Sequence, residues 1–346
     1  MISKLNLSNF RNFGKKEIEF SDNVNIIIAE NASGKTNILE AIVFLSLGKS
    51  FKTRKEVEAI KYEESITSIT GITGDIKLEV KITNGENGWP KKRLLINSIP
   101  KRLIDFTGNI KTVLFAPQDL DLVTSSPTLR RNFLDTVLSQ VDREYRRSLG
   151  SYEKGVRQRN RLLLRIREEG ISRSNLLFWN QLLIKNGNYI TEKRGELINF
   201  INSLEKCNLE YDYSAISDGR LDQYKEAEVA SATTLVGPHR DDFVFQTLNS
   251  TPKGVTESQT LSLASFGSRG EQRMAILWLK LAELAYIEKV TEVKPLLLLD
   301  DIFSELDHNH REIVMQTFND HQVIITSADE HNLPKTLKNV NIIKLH

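Results

Sequence analysis

The chain has 346 residues, of which 40% are hydrophobic and 27% are charged, and its formal net charge is +2. This composition is ordinary for a globular protein, and the length suits about two domains of ~150 residues each. The small net charge excludes a surface that is basic throughout, so a polyanionic partner would have to bind a local patch. The single cysteine, Cys207, excludes an internal disulfide framework. No stretch reaches the ~20 apolar residues of a membrane span, and the N-terminus lacks the apolar run of a signal peptide, so we expect a cytoplasmic protein without a membrane partner.

Three regimes of residue pattern follow one another along the chain. Up to residue 126, short β-rich runs alternate with turn residues; VNIIIA predicts a buried strand, NILEAIVFLSL a buried helix, and IKLEVKIT and KRLLINSI two further strands. From Thr128 to Leu204, apolar residues recur every three or four positions on both sides of the break EEGISRS. This pattern predicts two long helices in an antiparallel, coiled hairpin. Strands and helices alternate again from Asn208, so the predicted fold is α/β with an inserted helical lobe, divided at 1–126, 127–206 and 207–346.

The segment IIIAENASGKTN resembles a phosphate-binding loop that has lost glycines. The fingerprint is G-x-x-x-x-G-K-[ST], but here an alanine occupies the first glycine position. The predicted strand before the loop and the predicted helix after it bring backbone N–H groups and a helix N-terminus together, where phosphate binds well. We expect Lys35 to reach the β- and γ-phosphates and Thr36 to ligate Mg²⁺. The predicted nucleotide contacts are Ala29, Glu30, Asn31, Ala32, Ser33, Gly34, Lys35 and Thr36.

The alanines at positions 29 and 32 allow two interpretations of this segment. It is either a working nucleotide site or a helix start that spells GKT by chance. An L-residue held at positive φ costs about 1–2 kcal/mol, which is small beside the interactions of a Mg-nucleotide. The strain would therefore weaken binding without abolishing it.

A second motif, KPLLLLDDIFSELD, favours the working site. The apolar run predicts a buried parallel strand, and carboxylates at its carboxyl end lie where ligands bind in open α/β sheets. We expect Asp300 to hold the Mg²⁺ shell and Asp301 to orient or deprotonate the attacking water. The alternative is a strand followed by a solvated acidic turn. Two halves of one Mg-nucleotide site, each after its own strand, make the alternative hard to sustain.

Three further segments resemble elements of ABC-type ATPases. SRGEQ, at the start of a predicted helix, resembles the signature that presents Ser268 and Gly270 to the nucleotide of an opposite subunit, although Ser268 and Glu271 also form the pattern of a capping box. Gln118, in the polar turn after VLFA, resembles the glutamine that senses Mg²⁺ and the γ-phosphate, so we expect it to take part in metal binding and catalysis. SELD at 304–307 resembles the loop along the dimer seam. The residue of the switch loop is not assigned, because His331 comes late after the final strand.

The chain as a whole resembles the RecF family of bacterial DNA replication and repair ATPases, which belong to the SMC-like ABC class. The resemblance runs along nearly the whole length and is carried by LNLSNFRNF, GKTNILEAIVFLSLGKSF, LRRNFLD, LLFWNQLLIKNG, TLVGPHRDDF and LLLLDDIFSELD. It implies an ABC-type P-loop ATPase lobe with mixed sheets, interrupted by a helical lobe. It also implies ATP and Mg²⁺ as cofactors, and Arg11 as the N-terminal arginine that approaches the nucleotide phosphates.

The resemblance further implies what the protein does. We expect ATP-dependent homodimerisation, binding of single-stranded and gapped duplex DNA without sequence preference, and assistance to recombinase loading together with RecR- and RecO-like mediator proteins. The expected activity is a DNA-dependent hydrolysis of ATP to ADP and phosphate that acts as a switch. We expect this hydrolysis to be slow because Asp301 is one methylene shorter than the glutamate that many ABC ATPases place there, so its carboxylate is less well positioned against the attacking water.

A run of basic residues in DREYRRSLGSYEKGVRQRNRLLLRIR is the predicted DNA-binding surface. Within the helical insertion these cations would occupy the faces left by the apolar stripe, and the ordinary alternative is a solvated coiled-coil surface. Arginines that neutralise phosphates bind DNA in a salt-dependent, sequence-independent way. The residues predicted to contact DNA are Arg143, Arg146, Arg147, Arg157 and Arg161.

Three alternative functions belong to other classes of protein. An ATP-independent DNA-binding scaffold with a degenerate P-loop is supported only by the two alanines, and an ATP titration distinguishes it. A transporter-type or metabolic ABC ATPase is disfavoured because membrane-coupling segments are missing and a coiled helical insertion is present. A nuclease of the overcoming-lysogeny type needs a carboxylate-rich domain after the DD motif, where too little chain follows.

Overall fold

The computed structural model describes residues 1–53, 55–85, 91–247, 262–304, 308–329 and 340–345. The chain divides into two compact units: Met1–Asp119 with Glu283–His346, and Leu120–Ala282. We call them the first and the second unit. The predicted helical lobe at 127–206 lies within the second unit, and the predicted segment 207–346 is shared between the two.

The described strands are short, at three to eight residues each. They are β1 (Lys4–Phe10), β2 (Phe13–Glu19), β3 (Val24–Ile28), β4 (Ile66–Thr73), β5 (Ile76–Thr83), β6 (Lys91–Ile96), β7 (Ile99–Lys101), β8 (Thr112–Phe115), β9 (Asn208–Asp212), β10 (Asp242–Gln246), β11 (Leu296–Asp300), β12 (Val323–Ser327) and β13 (Val340–Lys344).

The described α-helices range from single turns to two helices of 27 residues. They are α1 (Lys35–Leu47), α2 (Leu103–Phe106), α3 (Asp121–Thr124), α4 (Pro127–Val141), α5 (Arg143–Glu169), α6 (Leu177–Ser203), α7 (Asp218–Gln223), α8 (Lys225–Ser231), α9 (Leu263–Phe266), α10 (Arg269–Thr291) and α11 (His308–Gln316). Within the described part of the chain, no helix has the length and apolar character needed to cross a membrane.

A parallel sheet in the first unit carries the predicted nucleotide motifs. Its strand order is β13-β3-β12-β11-β8, and every neighbouring pair is parallel. The strands are apolar on both faces, as in VNIII and LLLLD, because a parallel sheet is covered on both sides. Since parallel strands end at the same edge, the residues that follow β3, β8 and β11 gather there.

A six-stranded antiparallel sheet completes the first unit, in the order β2-β1-β4-β5-β6-β7. The predicted strands IKLEVKIT and KRLLINSI are β5 and β6, which pair antiparallel, while 86–90 between them lie outside the described residues. Helix α1 is buried along nearly its whole length and shares a core with this sheet. The contact is close: a Cβ atom at Gly71 of β4 would lie 2.4 Å from Leu45 Cδ1 of α1.

The helical part of the second unit corrects one prediction. The apolar period from Leu129 to Val156 predicts one helix, but the chain breaks at Asp142, where φ is −123° and ψ is 112°. The Asp142 carboxylate accepts hydrogen bonds from the Tyr145 N–H at 3.0 Å and the Tyr189 hydroxyl at 2.7 Å. It is thus an N-cap, and the side-chain oxygen stabilises the start of α5. Apolar periodicity does not report such a break, because α4 and α5 each continue the period.

Helices α5 and α6 form the predicted antiparallel pair. Arg159 Nε donates to Asn180 Oδ1 at 2.8 Å, and four residues earlier on α5 a Cβ at Gly155 would lie 2.9 Å from Leu183 Cδ2. A step toward the N-terminus of α5 is therefore a step toward the C-terminus of α6. Glycine at 155 allows the two helices to approach closely.

Candidate nucleotide-binding site

The phosphate-binding loop lies between β3 and α1, with the element bounds that the sequence predicts. Helix α1 begins after Gly34, and no side chain caps it. The first N–H groups of a helix have no partner one turn earlier, so those of Lys35 and Thr36 can bind phosphate. The Asn37 N–H already donates to the Gly34 carbonyl at 2.9 Å. Ala32 has φ of 64°, so an alanine occupies a left-handed position that favours glycine. Asn31, which tolerates that geometry better, is not the residue that adopts it.

Gly34 is required by two features of the loop. Its φ is +102°, and an added Cβ would lie 2.6 Å from both amide atoms of Asn12 and 2.8 Å from Phe13 Cζ. The turn between β1 and β2 therefore lies directly against the loop. The glycine of the GKT triplet therefore allows the β1–β2 turn to approach the loop closely, in addition to any approach of phosphate.

Lys35 is the cation of the loop and is buried, with 8% of its surface exposed. Its Nζ donates to the carbonyl oxygens of Ala29 at 2.6 Å and Glu30 at 2.9 Å. The ammonium thus lies inside the loop and is held by backbone acceptors. A phosphate oxygen at this point would compete with neutral carbonyls for the charge.

The two predicted halves of the site meet at Thr36 and Asp300. Thr36 Oγ1 donates to Asp300 Oδ1 at 2.9 Å, across 264 positions of sequence. Thr326, in β12, donates its hydroxyl to the same oxygen at 2.8 Å, and Asp300 is 5% exposed. Hydroxyl and carboxylate oxygens are ligands that Mg²⁺ accepts, and adjacent corners of an octahedron with bonds of 2.0–2.1 Å lie about 2.9 Å apart. The pair therefore fits a Mg²⁺ ion.

Asp301 and Gln118 lie at the same edge of the parallel sheet. Asp301 follows β11 and has φ of 51°; its N–H donates to the carbonyl and the hydroxyl of Thr326 at 3.2 and 3.1 Å. Gln118 follows β8, which pairs with β11 so that Phe115 is opposite Leu299. Its side chain is exposed in a 3-10 turn. The segment SELD, which resembles the loop along the dimer seam, includes residues 305–307, which lie outside the described residues. His331 also lies outside them.

Arg11 has a partner that the sequence did not predict. Its Nε and Nη2 donate to the two oxygens of Glu40 at 2.9 and 2.6 Å, and its Nη1 donates to the Glu58 carbonyl at 2.6 Å. Glu40 lies on α1 and is fully buried. The guanidinium is thus held between α1 and the segment that contains Glu58, and the next residue, Asn12, makes the contact with the loop.

Ser268 and Gly270 lie at the start of α10. The Ser268 N–H and hydroxyl donate to Glu271 Oε2 at 2.7 and 2.8 Å, and the Glu271 N–H donates to Ser268 Oγ at 3.3 Å. The two bonds that Ser268 donates lower the pKa of the Glu271 carboxyl, the bond from the Ser268 N–H most. The capping box of the alternative interpretation is therefore present, and it leaves Ser268 and Gly270 exposed.

Comparison with known proteins decides the family. The sequence matches the family described as RecF/RecN/SMC N terminal domain over residues 1–346. The DNA replication and repair protein RecF of Clostridium acetobutylicum is 35% identical over 364 residues, which cover 98% of this chain and 95% of that protein. RecF of Streptococcus thermophilus is 34% identical and is matched over 97% of this chain and 95% of its own length. The chain belongs to the RecF family.

Solved RecF structures share the fold. The recombination mediator protein RecF-ATP in the RecFOR pathway is 30% identical, with a TM-score of 0.83 over 96% of this chain and 93% of that one. RecF-ATPrS gives the same TM-score at 28% identity, over 100% of this chain and 96% of that one. The predicted ABC-type ATPase fold with mixed sheets is thereby confirmed.

Several residues around the RecF-type loop were not singled out from the sequence. Asn12 Nδ2 donates to the Ser33 carbonyl at 2.9 Å, Asn37 Nδ2 donates to Asn12 Oδ1 at 2.9 Å, and Lys52 Nζ donates to Asn37 Oδ1 at 2.8 Å. Partial burial lowers the pKa of the Lys52 ammonium, while the Glu40 and Asp300 carboxylates oppose that shift. Asn12 belongs to the segment NFRNF and Asn37 to the segment GKTN, so membership of these two segments was the available signal.

The predicted DNA-contacting arginines all lie on α5 and differ in their surroundings. Arg146 Nη1 donates to the Ser139 carbonyl at 2.6 Å, and Arg147 pairs with Glu144. Arg157 and Arg161 are exposed, and neither forms an ion pair with a described residue. Arg143 is exposed as well.

Proposed function

We propose that this RecF-family protein binds ATP and Mg²⁺, dimerises on ATP, and binds DNA during replication and recombinational gap repair. It takes single-stranded and gapped duplex DNA without sequence preference, and it assists recombinase loading together with RecR- and RecO-like mediators. Hydrolysis of ATP is slow and serves as a switch. The family relatives named above support the pathway, and the residues described below support the chemistry.

The contact between Thr36 and Asp300 carries the proposal. It joins the loop after β3 to the carboxylate after β11, which is the arrangement by which P-loop ATPases hold Mg²⁺ beside the β- and γ-phosphates. Within the described residues no group of three His, Cys, Asp or Glu side chains is placed to hold a metal by itself. We therefore assign the ion to Thr36, Asp300 and phosphate oxygens, with Gln118 as a further ligand from the same edge. Bound there, Mg²⁺ neutralises charge on the phosphates.

The remaining loop residues have defined roles in this proposal. Residues 29–34 present their backbone to the triphosphate, and Lys35 exchanges its two carbonyl acceptors for phosphate oxygens. Asp301 orients the attacking water and accepts its proton. Arg11 approaches the phosphates, and Ser268 and Gly270 present N–H groups at the start of α10 to the nucleotide held by a second copy of the chain.

The DNA-binding surface is one stripe on α5. At 100° per residue, positions 143, 147, 154, 157 and 161 fall within about 80° of one another, on the side opposite buried residues such as Tyr152 and Leu163. From 143 to 161 the stripe is about 27 Å long, or roughly eight phosphate steps of one DNA strand. Arg157 and Arg161, which have no carboxylate partner among the described residues, are the strongest candidates for phosphate contacts. Arg146, the remaining predicted contact, lies about 20° beyond the edge of this stripe and donates to the Ser139 carbonyl.

The alternative, a DNA-binding scaffold that does not use ATP, draws its support from the strained backbone of Ala32. That support is slight, because one residue at positive φ costs ~1–2 kcal/mol. Equilibrium binding of ATP separates the two functions directly.

The experiment is a comparison of Asp301→Asn with the wild type. The amide keeps the shape of the side chain but cannot accept a proton, so we expect normal binding of ATP and DNA, normal dimerisation, and slower release of DNA when ATP is present. Asp75→Asn, at an exposed turn after β4, is the matched control and should behave as the wild type. All proteins are measured in one buffer because phosphate contacts depend on salt. Hydrolysis and release at wild-type rates by Asp301→Asn would refute the role of Asp301, and a wild type that does not bind ATP would refute the proposed function.

A further inference from the structure

The turn between β1 and β2 is connected to the phosphate loop by a directional chain of side chains. Lys52 Nζ donates to Asn37 Oδ1 at 2.8 Å, Asn37 Nδ2 donates to Asn12 Oδ1 at 2.9 Å, and Asn12 Nδ2 donates to the Ser33 carbonyl at 2.9 Å. An ammonium can only donate and a carbonyl can only accept, so both ends of the chain are fixed. The orientation of each amide between them follows. Asn12 must therefore present its NH₂ group to the loop.

The same amide packs against the backbone of the loop. Both of its terminal atoms lie 2.6 Å from the position that a Cβ would take at Gly34. Asn12 thus contacts Gly34 by packing and the preceding residue, Ser33, by hydrogen bond. Through Asn37 it also contacts the first turn of α1. One side chain therefore connects the last part of the loop to the helix that follows it.

We propose that Asn12 is a positioning residue, which holds the phosphate loop and the start of α1 in the shape that binds ATP. The inference rests on the proposed function of the loop. The need for such a residue follows from Ala32, which occupies φ of 64° although its side chain disfavours that region. A free loop with this residue gains by leaving the left-handed conformation. The contacts of Asn12 with Ser33 and Gly34 oppose that departure.

A positioning role predicts a particular kinetic signature for Asn12→Ala. If only a fraction of the molecules has a competent loop, the apparent dissociation constant rises by the inverse of that fraction. Loss of hydrogen bonds of ordinary strength should lower the competent fraction about tenfold. In stopped-flow measurements with a fluorescent ATP analogue, we expect the association rate to fall about tenfold while the dissociation rate changes less than twofold.

Asn37→Ala provides the second test, because it removes the other partner of Asn12 and leaves the β1–β2 turn intact. It should lower the association rate in the same way, and the double variant should differ from Asn12→Ala by less than twofold, since the two residues act as one unit. Lys15→Ala, on the exposed side of β2, is the control and should bind as the wild type. The thermal midpoint without nucleotide verifies that each variant is folded.

Two results would overturn the inference. An unchanged association rate with a faster dissociation rate would mean that Asn12 touches the nucleotide directly. Unchanged rates for both asparagine variants would mean that the loop keeps its shape unaided. Lys35→Ala, measured alongside, separates this inference from the proposed function. If Lys35→Ala loses ATP and Asn12→Ala does not, only the role of Asn12 fails; if neither loses ATP, the loop is not the nucleotide site.

Discussion

Replacing Lys35 by alanine is the most direct perturbation of the loop. In the free protein its ammonium donates to two backbone carbonyls, at 2.6 and 2.9 Å. An ammonium and a phosphate oxygen about 4 Å apart attract each other by roughly 4 kcal/mol at an effective dielectric constant of 20. Lys35 gives up two carbonyl bonds of about 1 kcal/mol each to make that interaction. The difference of about 2 kcal/mol corresponds to a loss of ATP affinity of roughly 30-fold.

Isothermal titration of Lys35→Ala with Mg-ATP measures this loss. Lys35→Met, which keeps most of the buried stem, separates the charge from the packing and should lose about as much affinity. Lys49→Ala removes the same charge from an exposed position just beyond the other end of α1, and we expect it to bind ATP as the wild type does. An affinity of Lys35→Ala within threefold of the wild type would refute the assignment of the loop. An equal loss in Lys49→Ala would show that net charge, rather than position, controls binding.

Three other predictions follow from the same geometry. Gly34→Ala should lower the free energy of unfolding, measured by urea denaturation, by about 2–3 kcal/mol, because φ is +102° and the new Cβ would lie 2.6 Å from other atoms. The control is Gly74→Ala, where φ is also positive but the surrounding space is open, and it should cost about 1 kcal/mol. Ser268→Arg should leave ATP binding by the monomer intact and block ATP-dependent dimerisation, which light scattering measures. Full dimerisation of this variant would mean that the SRGEQ segment is only a helix cap. Joint replacement of Arg157 and Arg161 by alanine should weaken duplex binding and reduce the slope of log affinity against log salt by about 1.8, and an unchanged slope would remove the α5 stripe from the DNA surface.

The features that depend on a short stretch of sequence were predicted well. The strand VNIII, the helix that begins at Lys35 and the strand LLLLD have uninterrupted apolar patterns, and the structure confirms their bounds. The meeting of Thr36 with Asp300 was also predictable, because parallel strands end at one edge of a sheet. Both inferences depend on residues whose role follows from short-range pattern or from a general rule of topology.

Long-range polar partners could not be predicted in the same way. Arg159 belongs to the basic run of α5, yet it is 2% exposed and pairs with Glu228. Arg194 is also 2% exposed and binds Asp135 and Asp241. An arginine exposed in a basic run and an arginine buried in an ion pair cannot be told apart in the sequence. Only the packing of distant segments distinguishes them. The pairing of Arg11 with Glu40 escaped prediction for this reason.

The GPHRDD segment, which carried much of the family resemblance, contains a histidine whose titration is predictable. His239 Nε2 lies 3.0 Å from the Thr234 carbonyl and Nδ1 lies 2.8 Å from the Tyr152 hydroxyl. Because a carbonyl can only accept, Nε2 carries the proton and Nδ1 accepts from the hydroxyl. The neutral ring satisfies both partners, whereas a second proton on Nδ1 would break the bond from Tyr152. Burial, as the main cause, lowers the pKa of His239 to about 4.

This depressed pKa makes the second unit less stable in mild acid. The unfolded chain takes up the proton near pH 6.5, before the folded protein does, so stability is complete above about pH 6.5 and is lost as the pH falls toward 4. Between pH 8 and pH 5 the loss due to His239 alone is about 2 kcal/mol at 1.36 kcal/mol per pKa unit. Urea unfolding followed by tryptophan fluorescence reports mainly on this unit, because two of the three tryptophans of the chain, Trp179 and Trp278, belong to it.

The comparison is between the wild type and His239→Gln at both pH values. Glutamine keeps a donor and an acceptor but does not titrate, so the free energy of unfolding of the variant should fall by about 2 kcal/mol less than that of the wild type. Other groups titrate equally in both proteins and cancel in the difference. The same pH dependence in both would mean that His239 takes up its proton in the folded protein near pH 6.5. The Tyr152 hydroxyl would then have to release Nδ1 without loss of stability, which contradicts a buried contact of 2.8 Å.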